Sequence, residues 1–264
     1  MLKFRHASRA SQGARAYQED ASAIWPGEGA LVPSTTTEPP DGTSLVAVLA
    51  DGMGGHAGGE IASTIICGMF LQHFVAVAGE GRARLRPALT KANAAIRAKV
   101  ASSPGLAGMG ATLVGATIGT AGLSWISVGD SPMYLHRGGE LVQLNEDHSL
   151  APVIDRLVAQ GKITAEEGRN DPRRHYLRSA VTGDEIELVD APERPLELAP
   201  GDVVVIASDG IHTLESADIC SLVSTHLLDG PAAIADALVR AVDDAGAPHQ
   251  DNTTVVVIAV DEAA

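Results

Sequence analysis

Six acidic side chains stand where β-like runs begin or end. The run Leu45–Ala50 stops at Asp51–Gly52, Val203–Ala207 at Ser208–Asp209–Gly210, and Leu123–Val128 at Gly129–Asp130. Glu19–Asp20 opens Ala21–Trp25, and Asp251–Asn252 opens Thr253–Val260. Any one of these is ordinary turn chemistry, since Asp-Gly and Asp-Asn suit the ends of strands. Antiparallel strands, however, place the end of one beside the start of the next, so all six acids can meet at one edge. Carboxylates gathered without counter-charge repel one another, and such a cluster needs cations. An all-oxygen donor set selects hard ions, magnesium or manganese rather than zinc. The Cys/His spacing of a zinc site is absent.

The stretch DGMGGHAGGE, Asp51–Glu60, has a second reading. Gly52, Gly54 and Ala57 fit G-x-G-x-x-A between a strand and a helix, the context of a dinucleotide site. Against it, Asp51 would face the pyrophosphate, and no compact strand-helix-strand unit follows. Gly161–Lys162 is followed by Ile163, so no Walker A loop is present. The glycines are better explained by backbone that passes close to bound ions, with the Gly52 carbonyl free to act as a ligand.

The elements that must position these residues are legible as periodicities. Further β-like runs fall at Leu2–Ala7, Thr112–Ile118, Met133–His136, Glu140–Leu144 and Ile186–Val189. Short glycine turns at Thr120–Gly122 and Arg137–Gly139 predict antiparallel hairpins. Apolar residues at helical spacing predict helices over Gly59–Val77, Leu85–Ser102, Ala217–Ser224 and Ala232–Asp243, with shorter ones at Leu150–Gln160 and Thr164–Arg169. Between Asp147 and Asp184 the chain turns polar and basic, an excursion from the core. Pro26–Thr43 reads as a long loop. Many antiparallel strands with a few long helices predict an α+β fold, sheets inside and helices outside, in a single domain over residues 1–264.

Bulk properties narrow the function classes. Of 264 residues, 45% are hydrophobic, enough for a sizeable core, and the formal net charge is -14. That charge disfavours nucleic acid and anionic lipid as partners, and no Lys/Arg run offers a basic face. Cys67 and Cys220 have no partner spacing and read as free thiols, which fits a reducing compartment. The N-terminal residues lack a signal-like apolar stretch, and no apolar run approaches the roughly 18 residues of a membrane helix. The expectation is a cytoplasmic protein that meets no membrane.

The motifs GARAYQED at Gly13–Asp20, DGMGGHAGGE at Asp51–Glu60, MGATL at Met109–Leu113, VGDS at Val128–Ser131, DHS at Asp147–Ser149, SDG at Ser208–Gly210 and DNTT at Asp251–Thr254 occur in that order. Together they make the chain resemble the metal-dependent type 2C serine/threonine protein phosphatases in their bacterial form. The resemblance runs through almost the whole chain. It implies a four-layer α-β-β-α sandwich, with two stacked antiparallel sheets and a metal centre at one edge. Carried over by position, Asp51 resembles the ligand that bridges two divalent cations, manganese or magnesium. Glu19 and the Gly52 carbonyl complete one site, and Asp209 and Asp251 the other. Asp130 matches a ligand of a third, weaker cation. Asp20 would orient the attacking water from behind the ligands, and Arg15 would clamp the phosphate. Residues 147–184 resemble the family's flap beside the site.

The implied reaction is hydrolysis of phosphoserine and phosphothreonine on proteins, a serine/threonine kinase of the same cell among the partners. The alternative is a catalytically inactive relative that only binds phosphoproteins, but Glu19, Asp20, Asp51, Asp130, Asp209 and Asp251 are all present. Three departures from the family pattern stand out. Gln18 replaces the usual Asn, and Pro132 follows Ser131 where Arg is usual. Met53 occupies the position of a histidine assigned as general acid in eukaryotic members, and nearby His56 need not replace it. A water on a metal is the better candidate for protonating the leaving group.

Overall fold

A computed structural model describes residues 2–27, 31, 43–54 and 58–262. Eleven strands and six α-helices alternate along the described chain in the order β1 (Leu2–Ser11), β2 (Ala21–Trp25), β3 (Thr43–Ala50), β4 (Gly52–Met53), α1 (Gly58–Ala76), α2 (Gly81–Ser102), β5 (Gly110–Ala111), β6 (Leu113–Gly119), β7 (Gly122–Val128), β8 (Met133–Arg137), β9 (Glu140–Gln143), α3 (Ala151–Ala159), α4 (Ala165–Arg169), β10 (Val203–Ala207), α5 (Ser216–Thr225), α6 (Pro231–Asp244) and β11 (Thr253–Glu262).

Two antiparallel sheets carry the architecture. The first has the order β1-β11-β10-β8-β9 and the second β2-β3-β6-β7, with a short β4-β5 pair beside them. The expected glycine hairpins join β6 to β7 and β8 to β9, and Gly122, Gly138 and Gly139 take the positive φ those turns need. The sheets face each other across a core that includes Leu45, Leu49, Ile118, Val204, Ile206, Val256 and Ile258. On the outer face of the second sheet, Val46, Val48 and Ile126 meet Ile66, Phe70 and Phe74 of α1 and Leu85, Leu89 and Ile96 of α2. On the outer face of the first, Val203, Val205, Val255 and Val257 meet Ile219 of α5 and Ile234 and Leu238 of α6. Strands buried on both faces explain why β10 and β11 read as near-continuous Val/Ile runs rather than alternating ones. This is the expected four-layer sandwich.

Two expectations need correcting. Ile186–Val189 is not a strand. The Ser179 hydroxyl bonds both Leu188 backbone groups, accepting from the amide at 3.0 Å and donating to the carbonyl at 2.9 Å. It thereby occupies groups a ladder would use. Beyond the segment, the backbone pairs with the second sheet through isolated bridges, Asp190 with Ser127 and Leu196 with Leu123. The second correction concerns apolar length. Among the described residues one helix, α1 at 19 residues, is long and apolar enough to cross a membrane by length and composition. It packs its Ile66, Cys67, Phe70, Leu71 and Phe74 into the core. The loop expected over Pro26–Thr43 falls mostly outside the described residues.

The excursion after Asp147 holds α3, α4 and a 3-10 turn at Pro172–His175. A capping box starts α4, with the Glu167 amide donating to Thr164 Oγ1 at 3.1 Å and the Thr164 amide donating to Glu167 Oε2 at 2.7 Å. Arg174 ties the turn back to Asp155 at 2.6 Å. The segment returns to the body at Gly183–Asp184, where α2 receives it. Asn93 accepts from the Gly183 amide at 2.8 Å and donates to the Asp184 carbonyl at 2.7 Å. Arg97 Nε donates to the Gly183 carbonyl at 2.6 Å.

Candidate metal centre

One cleft of about 990 Å³ collects nearly every residue singled out from the sequence. Arg15, Glu19, Asp51, Gly52, Asp130, Asp209 and Asp251 all line it, with Met53, Thr112 and, from the excursion, His175, Tyr176 and Arg178. Asp20 stands behind them. The acids come from both sheets: Glu19, Asp20 and Asp51 from the ends of β2 and β3, and Asp209 and Asp251 from the ends of β10 and β11.

The loop between β1 and β2 carries Arg15 and Glu19, and it is pinned by Asn252. That side chain donates to the Gln12 and Tyr17 carbonyls at 2.8 and 3.0 Å and accepts from the Glu19 amide at 2.7 Å. Gly13, at φ +58°, lies so close that a Cβ there would stand 2.5 Å from the Asp251 carbonyl oxygen. Gln18 serves this loop in place of the family's Asn. It accepts from the Asp20 amide at 3.0 Å and donates to the Ser11 carbonyl at 3.2 Å. Arg15 forms an ion pair with Asp251.

Glycine lets three backbones converge behind Glu19. A Cβ on Gly52 would stand 2.4 Å from the carbonyl oxygens of both Glu19 and Gly59, and one on Gly59 would stand 2.4 Å from Glu19 Oε1. Thr112 fixes Asp51, accepting from its amide at 3.0 Å and donating its own amide to the Asp51 carbonyl at 2.9 Å. The Asp209 amide reaches Asp51 Oδ2 at 3.4 Å, across the gap between the sheets. Asp209 itself opens a 3-10 turn, Asp209–Thr213. Ser208 donates to Asp20 Oδ2 at 2.8 Å and accepts from the Thr254 amide at 2.8 Å, a second link between the sheets.

The turn holding Asp130 is well supported despite Pro132. Asn145 accepts from the Met133 amide at 2.7 Å and donates to the Ser131 carbonyl at 2.9 Å. His148 of the DHS motif accepts from the Gly129 amide at 3.2 Å and donates its own amide to the Gly129 carbonyl at 3.0 Å. The roles of Asn252, Ser208, Thr112 and Asn145 were not visible in the sequence. Their only signal was position, one residue beside an acid or within a motif. His56 lies outside the described residues.

Electrostatics show what the cluster lacks. Burial, and then the repulsion of Asp209, Asp20, Asp130 and Asp251, holds Asp51 well above the usual carboxylate range. Burial raises Asp20 to about 6 and Asp130 to about 7, each with help from neighbouring carboxylates. Asp209 is raised by burial and by Asp251, and Glu19 by burial above all. Glu19 Oε1 and Asp20 Oδ1 are buried without any hydrogen-bond partner among the described residues. Oxygen donors that repel each other and lack partners fit hard divalent cations. No three Asp, Glu, His or Cys side chains among the described residues are gathered tightly enough to hold an ion as they stand. Asp251 is engaged through one oxygen by Arg15 and through the other by the Asn252 amide, at 2.8 Å.

A family model described as protein phosphatase 2C matches residues 34–252. The serine/threonine protein phosphatase PstP of Mycobacterium tuberculosis is 36% identical over 219 residues, 82% of this chain, and the chain spans 40% of that relative's length. Protein phosphatase PhpP of Streptococcus pneumoniae is 30% identical over 81% of this chain and 85% of its own. Among solved structures, one of the M. tuberculosis phosphatase PstP/Ppp superposes with a TM-score of 0.77 at 32% identity, covering 98% of this chain and 99% of that one. The PstP catalytic domain in complex with two manganese ions superposes with a TM-score of 0.74 at 32% identity, covering 99% and 100%. With the family model spanning most of the chain and the acids of two sheets facing one cleft, the chain belongs to the protein phosphatase 2C family.

Proposed function

We propose that this protein hydrolyses phosphoserine and phosphothreonine esters on proteins with two divalent cations, manganese or magnesium, and a third held more weakly. The observation that carries the reading is the meeting of Glu19, Asp51, Asp209 and Asp251, drawn from strand ends of both sheets, in a cleft where two buried carboxylate oxygens lack partners. Glu19, Asp51 and the Gly52 carbonyl would hold one ion, and Asp51, Asp209 and Asp251 the other. Asp130 would hold the third. Bound there, the cations would supply Lewis acidity toward the phosphate oxygens and make water acidic enough to attack. The two manganese ions of the mycobacterial relative support this assignment.

The chain's own residues bind and orient. Arg15 can leave Asp251 for the non-bridging phosphate oxygens, a charge-assisted contact. Asp20, fixed by Ser208, accepts a hydrogen bond from the attacking water and keeps its lone pair directed at phosphorus. Met53 lines the cleft and has no proton to give, so the leaving oxygen takes its proton from elsewhere. The substrates are phosphorylated proteins, a serine/threonine kinase among them, in the cytoplasm.

The test is phosphate release from phosphoserine and phosphothreonine peptides with manganese, with magnesium and with EDTA. Turnover with either metal and none with EDTA is expected. Full turnover in chelator overturns the metal assignment. No turnover in any condition, with phosphopeptide still bound, favours the inactive binding module.

A further inference from the structure

The second helix of the outer layer concentrates positive charge in an acidic chain. Helix α2 holds Arg82, Arg84, Arg86, Lys91, Arg97 and Lys99, six of the chain's 19 Lys and Arg, and none of its 33 Asp and Glu. No run of adjacent cations exists; helical winding gathers them. Arg84 turns inward, where it stacks on Phe74 and donates to the Phe74 carbonyl at 3.1 Å. Arg82, Arg86, Lys91 and Arg97 are exposed. Arg82 and Arg86 stand one turn apart, a like-charge spacing that weakens a helix. Among the described residues Arg82, Arg86 and Lys91 form no ion pair. The fold therefore gains nothing evident from these charges.

One end of the helix reaches the cleft, and Arg82 stands at the other, beside the turn between β6 and β7, about 22 Å along the axis from Arg97. Asn93 and Arg97 grip Gly183 and Asp184, and Thr182 and Glu185 on either side line the cleft itself. Between the cations lie Ala83, Thr90, Ala94 and Ala98, exposed and small. Such a bed lets another chain approach closely. It offers no bulky apolar side chain to insert into a bilayer. Elsewhere the surface is dominated by acids and repels an acidic partner.

From charge complementarity, and from a row of cations that starts far from the cleft and ends at the segment lining it, we infer that the outer face of α2 is a docking surface for an acidic segment, remote from the scissile ester, of the phosphoprotein whose phosphorylated residue occupies the cleft. The inference rests on the phosphatase reading, and it adds that substrates are chosen in part by an Asp/Glu-rich stretch away from the scissile ester. Docking of that kind acts on KM rather than on the chemical step.

The experiment uses the whole chain with manganese at low salt, and two phosphothreonine peptides that differ only in a flexibly linked Glu-rich tail. The tail is expected to lower KM about tenfold, the scale of three exposed charge pairs acting together. The combined variant Arg82→Glu, Arg86→Glu and Lys91→Glu should lose that advantage while keeping kcat on the tail-less peptide and on p-nitrophenyl phosphate. Arg97 is left in place because it holds the Gly183 carbonyl. If the reversal unfolds the protein by circular dichroism, the Gln series at the same three positions replaces it. An equal KM for both peptides in the unaltered protein overturns the inference, as does an undiminished tail advantage in the variant. Loss of binding to phosphatidylserine vesicles or to duplex DNA in the variant, with no tail effect, reassigns the face to that partner. If neither peptide is hydrolysed, the phosphatase reading fails instead. Docking is then decided by fluorescence anisotropy of the labelled Glu-rich tail alone, where equal binding to both proteins overturns it.

Discussion

At Asp51 the proposed metal chemistry and stability pull in opposite directions. Its carboxylate is buried among four others, so without metal it destabilises the fold, and with metal it would join two ions. Asp51→Asn is expected to cut kcat by more than about a hundredfold, the upper end for groups that merely support a metal's ligands. The same change should raise the melting temperature in EDTA, because one repelling charge is gone. A variant that keeps near-normal kcat removes Asp51 from the ligand set. Arg15→Ala should raise KM about ten- to hundredfold, for loss of a charge-assisted contact worth about 1.5–3 kcal/mol. Calorimetry should find metal affinity largely intact; lost metal binding with unchanged KM contradicts the clamp. A pH series tests the carboxylates together. Asp20 near 6 and Asp130 near 7 in the folded state hold protons that the unfolded chain, near 4, has released. Their contribution to the stability of the metal-free protein should then fall as pH rises from about 4 to about 7, against the opposite contribution of the buried histidines, and Asp130→Asn should remove its part of that fall. An identical pH profile in Asp130→Asn and the unaltered protein refutes the burial of Asp130. The acids were legible in the sequence because strand ends announce themselves. Asn252, whose one side chain pins three backbone groups of a loop more than 230 residues away, was not, because no local pattern encodes a tertiary contact.

Elements are legible in the sequence wherever periodicity and burial agree. Helices α1, α5 and α6 lie within one residue of their expected bounds, and α2 begins four residues earlier than Leu85. Misreading came where apolar content had another use. Ile186–Val189 looks like a strand, yet a serine side chain takes up its backbone groups, and its apolar residues pad the core from the edge. The flap return shows how one residue governs an element. Gly183 holds φ +92°, and a Cβ there would stand 2.8 Å from the Arg97 backbone nitrogen. Gly183→Ala should destabilise by about 1–3 kcal/mol from backbone strain alone. It should also speed hydrogen exchange in residues 180–187, because the grip of Asn93 and Arg97 would loosen. Unchanged melting and exchange would show that the flap is held elsewhere.

For the molecule as a whole, the centre lies across the seam between two sheets. Glu19 and Asp51 belong to one, Asp209 and Asp251 to the other, and the direct links there are single hydrogen bonds such as the Ser208 hydroxyl to Asp20, the Asp209 amide to Asp51 and the Glu19 amide to Asn252. Divalent ions would therefore act as rivets. At a hundred times its dissociation constant a bound ion adds about 2.7 kcal/mol, or about 5–10 °C in a domain of this size. Differential scanning calorimetry with manganese against EDTA checks this, and an unchanged melting temperature argues against ions at the seam. The pairing of β1 with β11 has a practical corollary. Ser11 faces Thr253 at the cleft end of that ribbon, and Leu2 faces Glu262 at the other. Both exits of the described chain therefore open at the pole opposite the mouth of the cleft. A surface anchor or a fluorescent reporter attached there would leave the mouth pointing outward, and a short linker from Glu262 back to Leu2 would close the polypeptide into a ring.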